Sequence, residues 1–137
     1  MDGIIFDVDG TLWDSVEVVA ESWNLAIKEN SDLEPNLNRE ILQGLFGKTM
    51  DEIAAGVFPD LDLNARKKLM DICFEYENRY LETHPGTYYE GVMDTLKELA
   101  LEYPLFIVSN CQCGYIEVMM KGAGMEPYIK DFLCFGQ

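Results

Sequence analysis

Two aspartates separated by one residue, Asp7 and Asp9, are the residues of this sequence best suited to chemistry. They follow Ile4-Ile5-Phe6, an apolar run rich in β-branched residues that predicts a strand buried on both faces. Alternate residues of a strand point the same way, so both carboxyl groups would lie together at its carboxyl end. Two carboxylates at so short a distance repel each other unless a cation neutralises them. Oxygen ligands favour a hard ion such as Mg²⁺. The spacing therefore indicates a candidate magnesium site.

A simpler interpretation is a polar strand end that leads into an Asp-Gly turn at Asp9-Gly10. A calcium-binding loop of the EF-hand type also begins with alternate acidic residues. Its sixth position would be Leu12 rather than glycine, and its twelfth Val18 rather than glutamate, which excludes it. The turn and the metal site both stay open at this point.

The elements that must position these aspartates follow from periodicity. Residues 15–85 show only helical patterns, so they predict an all-helical insert that begins with Ser15 as an N-cap. A βα pattern resumes at Tyr89. The predicted helices lie near 15–29, 38–46, around Ile53, 63–83, 91–102 and 112–123, and the later strands near 104–108 and 132–135.

Two segments of the insert have features that resemble sites. Gly47-Lys48-Thr49 is similar to part of a nucleotide phosphate loop, but that loop needs a glycine where Leu42 stands and a strand before it. Lys48 lies near a helix start, where it either reaches towards a substrate or is a solvated lysine, the more common situation. His84-Pro85-Gly86 predicts a hinge, and His84, the single histidine, is expected to be exposed.

Composition limits the partners. The 137 residues carry a net charge of −15 with only 10 basic side chains, which argues against nucleic acids and anionic membranes. An anionic substrate would need local positive potential. No apolar run reaches membrane-spanning length and the N-terminal residues predict a core strand rather than a signal peptide, so a cytoplasmic protein is expected.

The four cysteines agree with a reducing compartment. Cys73 falls on a helical apolar face and Cys134 in a predicted strand, so both are expected to be buried thiols. Cys111-Gln112-Cys113 is too tightly spaced for the usual zinc or redox patterns, so no zinc site is predicted.

Three segments resemble the haloacid dehalogenase superfamily of hydrolases. The string from Ile4 to Ser15 closely resembles its first motif, and the apolar strand that ends in Ser109-Asn110 is similar to its second. Tyr89-Glu90-Gly91-Val92 is similar to the segment that re-enters the core in members with a helical cap. The nearest likeness is to phosphoglycolate-phosphatase-like and β-phosphoglucomutase-like members.

This resemblance implies an α/β fold with a Rossmann-like parallel sheet, of which about three strands are present. Residues 1–14 and 86–137 would form the α/β core, and residues 15–85 would form an inserted α-helical cap. The cap would close over the site through hinges near Asp14-Ser15 and His84-Gly86.

The resemblance also implies a Mg²⁺-dependent phosphatase that hydrolyses a small phosphorylated metabolite through an aspartyl phosphate. Asp7 would be the nucleophile and a metal ligand. Asp9 would transfer protons and bind the metal through its backbone carbonyl. Ser109 and Asn110 would bind the phosphoryl group, with Lys48 as a further substrate contact.

Two features of the sequence bear on which reaction the resemblance implies. Asp9 favours phosphoryl transfer over carbon–halogen cleavage, because dehalogenase members lack the second aspartate. Mutases of sugar phosphates tend to carry an arginine after a glycine like Gly47, where this chain has Lys48, so hydrolysis is preferred and a phosphosugar mutase is the alternative.

The family's third motif, which supplies a lysine, and its fourth, which supplies acidic metal ligands, are missing. We therefore expect an N-terminal portion of a longer enzyme, weakly active or inactive by itself, that self-associates through an open sheet edge. The alternative is a complete short protein that acts as a binding or regulatory module.

Overall fold

The computed structural model describes residues 2–135, so Met1 and Gln137, at the ends of the predicted core segments, lie outside it. Within that range no helix is both long and apolar enough to cross a lipid bilayer. The elements in chain order are β1 (Ile4–Phe6), β2 (Trp13–Asp14), α1 (Val16–Asn30), α2 (Arg39–Gln43), α3 (Met50–Val57), α4 (Leu63–Thr83), β3 (Thr87–Tyr88), α5 (Val92–Ala100), β4 (Leu105–Val108), α6 (Tyr115–Ala123), a 3₁₀ turn (Glu126–Tyr128) and β5 (Asp131–Leu133).

The main sheet has β4 at its centre, flanked by β1 and β5, and all its pairs are parallel. Phe6 pairs with Ile107, and Ile107 pairs with Phe132. This arrangement confirms the predicted α/β class with a three-stranded parallel sheet. Because parallel strands end at a common edge, Asp7 and Ser109, which follow β1 and β4, are brought to the same side of the molecule.

Within residues 2–135, only one face of this sheet is covered. Ile107 is fully buried against α5 and α6, whereas Ile5, Val108 and Leu133 are 68%, 44% and 47% exposed on the other face. The prediction that β1 is buried on both faces is therefore wrong. Both faces of a strand are buried only when a layer packs on each side, and residues 2–135 supply a layer on one side.

The helical insert joins the sheet core through a second, two-stranded sheet. β2 and β3 pair antiparallel, with Trp13 opposite Tyr88 and Asp14 opposite Thr87. Gly86 lies against this crossing, and a Cβ there would come within 2.9 Å of the Asp14 carbonyl oxygen. A side chain at this position would therefore push the crossing apart. The sequence predicted a hinge here but not the strand pair.

The insert has a hydrophobic cluster of its own, built from α1 to α4. α1 packs along α4, where Trp23 meets Phe74 edge to face with ring centroids 5.8 Å apart. The sheet core has a second cluster around Ile107 and Met119. The longest helix, α4, has the predicted bounds, since Asp62 caps it by accepting a hydrogen bond from the amide of Ala65.

The cysteines differ in one respect from expectation. Cys73 and Cys134 are buried as predicted, but Cys134 follows β5 instead of lying within a strand. Its Sγ lies 2.8 Å from the Sγ of the exposed Cys113. The loop that contains Cys113 is therefore held against the end of β5.

Candidate active site

A cavity of about 40 Å³ lies between the carboxyl edge of the sheet and the helical insert. Its wall contains all the residues that the sequence singled out for a site: Asp7, Asp9, Lys48, Ser109 and Asn110. These residues come from the ends of two adjacent parallel strands and from the turn between α2 and α3. The fold thus brings three distant segments of the chain to one place.

Asp7 directly follows β1 and is exposed. Its Oδ1 accepts a hydrogen bond from the amide of Val8 at 2.8 Å, which orients the carboxylate. The side chain also lines a neighbouring opening beside Gly10 and Arg39. An oriented, accessible carboxylate of this kind can act as a nucleophile or as a metal ligand.

Asp9 lies deeper and is held by a hydrogen-bonded cluster. The Tyr115 hydroxyl donates to Asp9 Oδ1, and the Ser15 hydroxyl lies 3.4 Å from the same atom. Tyr115 also accepts from Trp13 Nε1 at 3.2 Å. The pKa of Asp9 is raised from 3.8 to about 6, mainly because the side chain is buried. The hydrogen bond from Tyr115 lowers this pKa by less than burial raises it, and the negative charge of Asp7 raises it further. A carboxyl group with this pKa can give and take protons near neutral pH.

Ser15 does not cap the first helix with its side chain, contrary to the prediction. It occupies the N-cap position without a capping hydrogen bond, and Asp14 Oδ1 accepts from the amide of Val16 at 3.1 Å instead. The Ser15 hydroxyl lies 2.7 Å from the hydroxyl of Tyr115. The Ser15 hydroxyl therefore forms a hydrogen bond with Tyr115, a hundred residues away in sequence, instead of capping the helix. No local sequence pattern reveals this partner.

We predict that Tyr115→Phe lowers the free energy of unfolding by about 1–3 kcal/mol, because it removes the partner of the buried Trp13 Nε1 and a donor to Asp9. Urea unfolding measures the change. The same substitution at the exposed Tyr89 is the matched control and should change stability by less than about 0.5 kcal/mol. Equal stabilities of the two variants would contradict the role given to the Tyr115 hydroxyl.

Ser109, Asn110 and Lys48 complete the polar wall. The Ser109 amide donates to the Leu133 carbonyl at 3.1 Å, and Asn110 Nδ2 donates to the Gly47 carbonyl at 3.2 Å. Gly47 has a φ of 92°, a conformation that favours glycine, and Lys48 follows it with an exposed side chain. Asn110 thus joins the sheet core to the turn that carries Lys48.

The two aspartates fit a magnesium ion in their chemistry. Mg²⁺ prefers oxygen ligands and is commonly held by one or two carboxylates together with water. Among residues 2–135, no cluster of three or more histidine, cysteine, aspartate or glutamate side chains is placed to hold a metal. Asp7 and Asp9 would therefore be the protein ligands from this part of the chain.

The cavity wall also contains residues that sequence reasoning missed, chiefly Glu77 and Gln112. They are 3% and 7% exposed. One signal was present for Glu77, since it stands three residues after Phe74 and four before Leu81, on the apolar stripe of α4. A charged residue on an apolar stripe indicates a buried polar contact. No comparable signal marks Gln112.

The family model of haloacid dehalogenase-like hydrolases matches residues 4–135. No curated protein matches the sequence. Several solved structures share the fold. A predicted phosphoglycolate phosphatase from Haemophilus somnus has a TM-score of 0.85 and 21% identity, over 99% of this chain and 63% of that chain.

Two further structures extend this comparison. The HAD-hydrolase YfnB from Bacillus subtilis, bound to magnesium, has a TM-score of 0.62 and 22% identity, over 97% of this chain and 64% of that one. CbbY from Rhodobacter sphaeroides, in complex with xylulose-(1,5)-bisphosphate, has a TM-score of 0.77 and 14% identity, over 98% of this chain and 63% of that chain. The chain thus spans about three fifths of the length of the solved structures that it matches. Since the family model covers nearly the whole sequence, the chain belongs to the haloacid dehalogenase-like hydrolase family.

Proposed function

We propose that the whole protein is a Mg²⁺-dependent phosphatase that hydrolyses a small phosphomonoester through an aspartyl-phosphate intermediate. The observation that carries this proposal is the convergence of Asp7, Asp9, Ser109, Asn110 and Lys48 on one cavity. Family membership supports hydrolysis. The magnesium bound to YfnB agrees with the oxygen ligands that the two aspartates offer.

In the first proposed step an oxygen of Asp7 attacks phosphorus, and the bond from phosphorus to the ester oxygen breaks. Asp9 gives its proton to the departing oxygen. In the second step water attacks the phosphorus, Asp9 takes a proton from that water, and the bond to Asp7 breaks. The pKa of Asp9, raised to about 6 mainly by burial, suits both transfers. Magnesium held by Asp7 and Asp9 would supply the charge neutralisation that lets a carboxylate approach a phosphate dianion.

The remaining residues account for phosphate binding on a protein of net charge −15. The Ser109 hydroxyl and the Asn110 amide can donate hydrogen bonds to phosphoryl oxygens. Among the cavity-lining residues in the described range 2–135, Lys48 is the one lysine or arginine, and it supplies local positive charge. The site thereby opposes the repulsion between the acidic surface and an anionic substrate.

The helical insert, residues 15–85, acts in this proposal as a cap over a core formed by residues 1–14 and 86–137. A space of about 40 Å³ has room for a few water molecules. A phosphomonoester is larger than this, so in the proposed mechanism the insert moves relative to the sheet when substrate enters. Both connections between them pass through β2 and β3, which makes this strand pair the natural hinge.

The experiment that tests the proposal measures phosphate released by the full-length protein from p-nitrophenyl phosphate and a panel of small phosphomonoesters. We expect release with Mg²⁺, none after chelation by EDTA, and recovery when Mg²⁺ is restored. A folded protein that releases phosphate from none of them would contradict the proposal and favour a binding or regulatory module. The cytoplasm is the location that we propose for this activity.

A phosphosugar mutase is the second candidate. One observation favours it: Lys48 follows Gly47 in the cavity wall, where it could hold a second phosphate group. Phosphorus NMR separates the two activities. A mutase converts one sugar phosphate into another without net phosphate release, whereas a phosphatase releases inorganic phosphate.

We also propose that residues 1–137, produced by themselves, are weakly active and self-associate. β1 and β5 form the edges of the sheet, and Ile5 on β1 is 68% exposed. Ile5→Lys should therefore shift the chain towards monomers at a given concentration, as light scattering coupled to gel filtration would show. Ile41→Lys, at an exposed position of the insert, is the control and should leave the distribution unchanged. An unchanged distribution in both variants would rule out association through this part of the sheet.

A further inference from the structure

The cavity wall contains a buried carboxyl group that the proposed reaction does not use. Glu77, on α4 of the insert, accepts a hydrogen bond at Oε1 from Trp23 Nε1 on α1 at 2.7 Å. Its Oε2 accepts from Nε2 of Gln112, which belongs to the sheet core. Glu77 therefore connects the helical insert to the loop between β4 and α6, residues 109–114, called here the β4–α6 loop.

The next residue of α4 holds the same loop. Asn78 Oδ1 accepts from Gln112 Nε2 at 2.9 Å, and Asn78 Nδ2 donates to the Cys113 carbonyl at 2.9 Å. Two consecutive residues of the insert thus contact two residues of a loop that begins with Ser109 and Asn110. The proposed phosphoryl-binding residues lie within a few residues of every one of these contacts.

The opposite side of the loop is fixed to the sheet. The Ser109 amide donates to the Leu133 carbonyl at 3.1 Å, and the Phe135 amide donates to the Cys111 carbonyl at 3.0 Å. The β4–α6 loop is therefore held by β5 on one side and by α4 on the other. Only the second set of contacts is lost when the insert moves away from the sheet.

Packing alone does not account for Glu77. Its side chain is 3% exposed, and none of the ion pairs formed within residues 2–135 includes it. A leucine would fill similar space without the cost of burying a carboxyl group. The carboxyl group does supply the hydrogen-bonding contact that a leucine cannot, namely the one between Trp23 in the insert and Gln112 in the loop.

We propose that Glu77 is a positioning residue that couples closure of the helical insert to the placement of Ser109 and Asn110. The inference rests on the proposed phosphatase activity. In the closed arrangement Glu77 and Asn78 hold Gln112 and Cys113, and this sets the loop against the cavity. When the insert opens for substrate, these contacts separate and the loop relaxes.

The kinetic test uses Glu77→Leu in the full-length protein. Since misplaced groups act mainly on the transition state, we expect kcat to fall roughly 10- to 100-fold with a smaller change in KM. In a background that carries both Ser109→Ala and Asn110→Ala, the same substitution should lower kcat less than about threefold, because the groups it positions are already gone. An equal factor in both backgrounds would overturn the inference.

Two further variants sharpen this comparison. Glu77→Gln should restore part of the kcat, because its amide oxygen keeps an acceptor for one of the two donors, Trp23 Nε1 or Gln112 Nε2. Glu75→Leu, at an exposed position on the same helix, is the matched control and should leave kcat unchanged. Glu77→Gln with the low kcat of Glu77→Leu would argue against positioning by this contact.

A second measurement needs no activity and so separates failure of this inference from failure of the proposed function. Cys111 lies within the loop and is 9% exposed, while Cys73 is buried in the insert. In proteins that carry Cys113→Ser, we expect Glu77→Leu to raise the rate of Cys111 alkylation by iodoacetamide at least severalfold and to leave Cys73 unchanged. Unchanged rates at Cys111, or parallel rises at both cysteines, would overturn the coupling even if the protein proves to be no phosphatase.

Discussion

Asp7→Asn in the full-length protein should lower Mg²⁺-dependent phosphate release by at least about a thousandfold. The amide of asparagine cannot form the acyl phosphate through which the proposed reaction proceeds, and it offers the metal a neutral oxygen in place of a charged one. Asp7 is exposed, and within residues 2–135 the only hydrogen bond of its side chain is the one that Oδ1 accepts from the amide of Val8. The substitution should therefore leave the fold intact. Initial rates with p-nitrophenyl phosphate measure the loss.

The control for this experiment is Asp32→Asn, which changes the net charge by the same amount at an exposed position outside the cavity. It should retain wild-type activity. Full activity of Asp7→Asn would exclude the aspartyl phosphate, whatever the other variants show. A loss in both variants would point to the overall charge of the protein instead.

The second large effect concerns the pH dependence of stability. Burial raises the pKa of Glu77 from 4.5 to about 8, more than the hydrogen bonds from Gln112 and Trp23 lower it. Between these two pH values the folded state keeps a proton that the unfolded state has released. The contribution of Glu77 to the free energy of unfolding should therefore be most favourable below pH 4.5, decline by on the order of 5 kcal/mol as the pH rises to about 8, and then level off.

Glu77→Gln isolates this contribution, because it removes the titration and keeps the shape. The difference in unfolding free energy between wild type and Glu77→Gln should change steadily from pH 5 to pH 8, in favour of the variant at the higher pH. Four titratable groups surround Glu77 and are present in both proteins: Asp9, Cys73, Cys111 and Tyr115.

Glu82→Gln serves as the control, since it replaces a glutamate with glutamine at an exposed position on the same helix. Denaturant unfolding at a series of pH values provides the measurement. A constant difference between wild type and Glu77→Gln would mean that Glu77 keeps an ordinary pKa in the folded protein.

The strands and the aspartate pair could be predicted because their signals are local. An apolar run that ends in polar residues marks both β1 with Asp7 and β4 with Ser109. Parallel pairing then brings the two strand ends together, so the position of the candidate site followed from the fold class. The bounds of α4 were equally accessible, since Asp62 caps it and His84-Pro85 ends it.

The partners of the buried polar groups could not be predicted in this way. Glu77 meets Gln112 at a separation of 35 residues, and Tyr115 meets Asp9 at a separation of 106. Such contacts depend on how the insert packs on the sheet, which no local pattern records. The same limit explains Ser15, whose hydroxyl bonds with Tyr115 rather than with the helix.

The exposure of β1 has a related cause. A run such as Ile4-Ile5-Phe6 predicts an apolar strand, but it does not indicate how many layers cover the sheet in which that strand lies. Ile5 faces the uncovered side of the sheet. Its hydrophobicity therefore predicted a buried side chain, but no part of residues 2–135 covers it.

The pairing of β2 with β3 has a consequence for how the inserted segment between them can vary among members of the family. The chain leaves the sheet core at Asp14 and returns at Thr87, and paired residues of antiparallel strands have Cα atoms roughly 5 Å apart. A segment whose two ends lie this close can be replaced by another of different length without disturbing the scaffold. Residues 15–85 are thus connected to the core at a single point. This geometry would allow the proposed cap to diversify while the sheet and its aspartates stay in place.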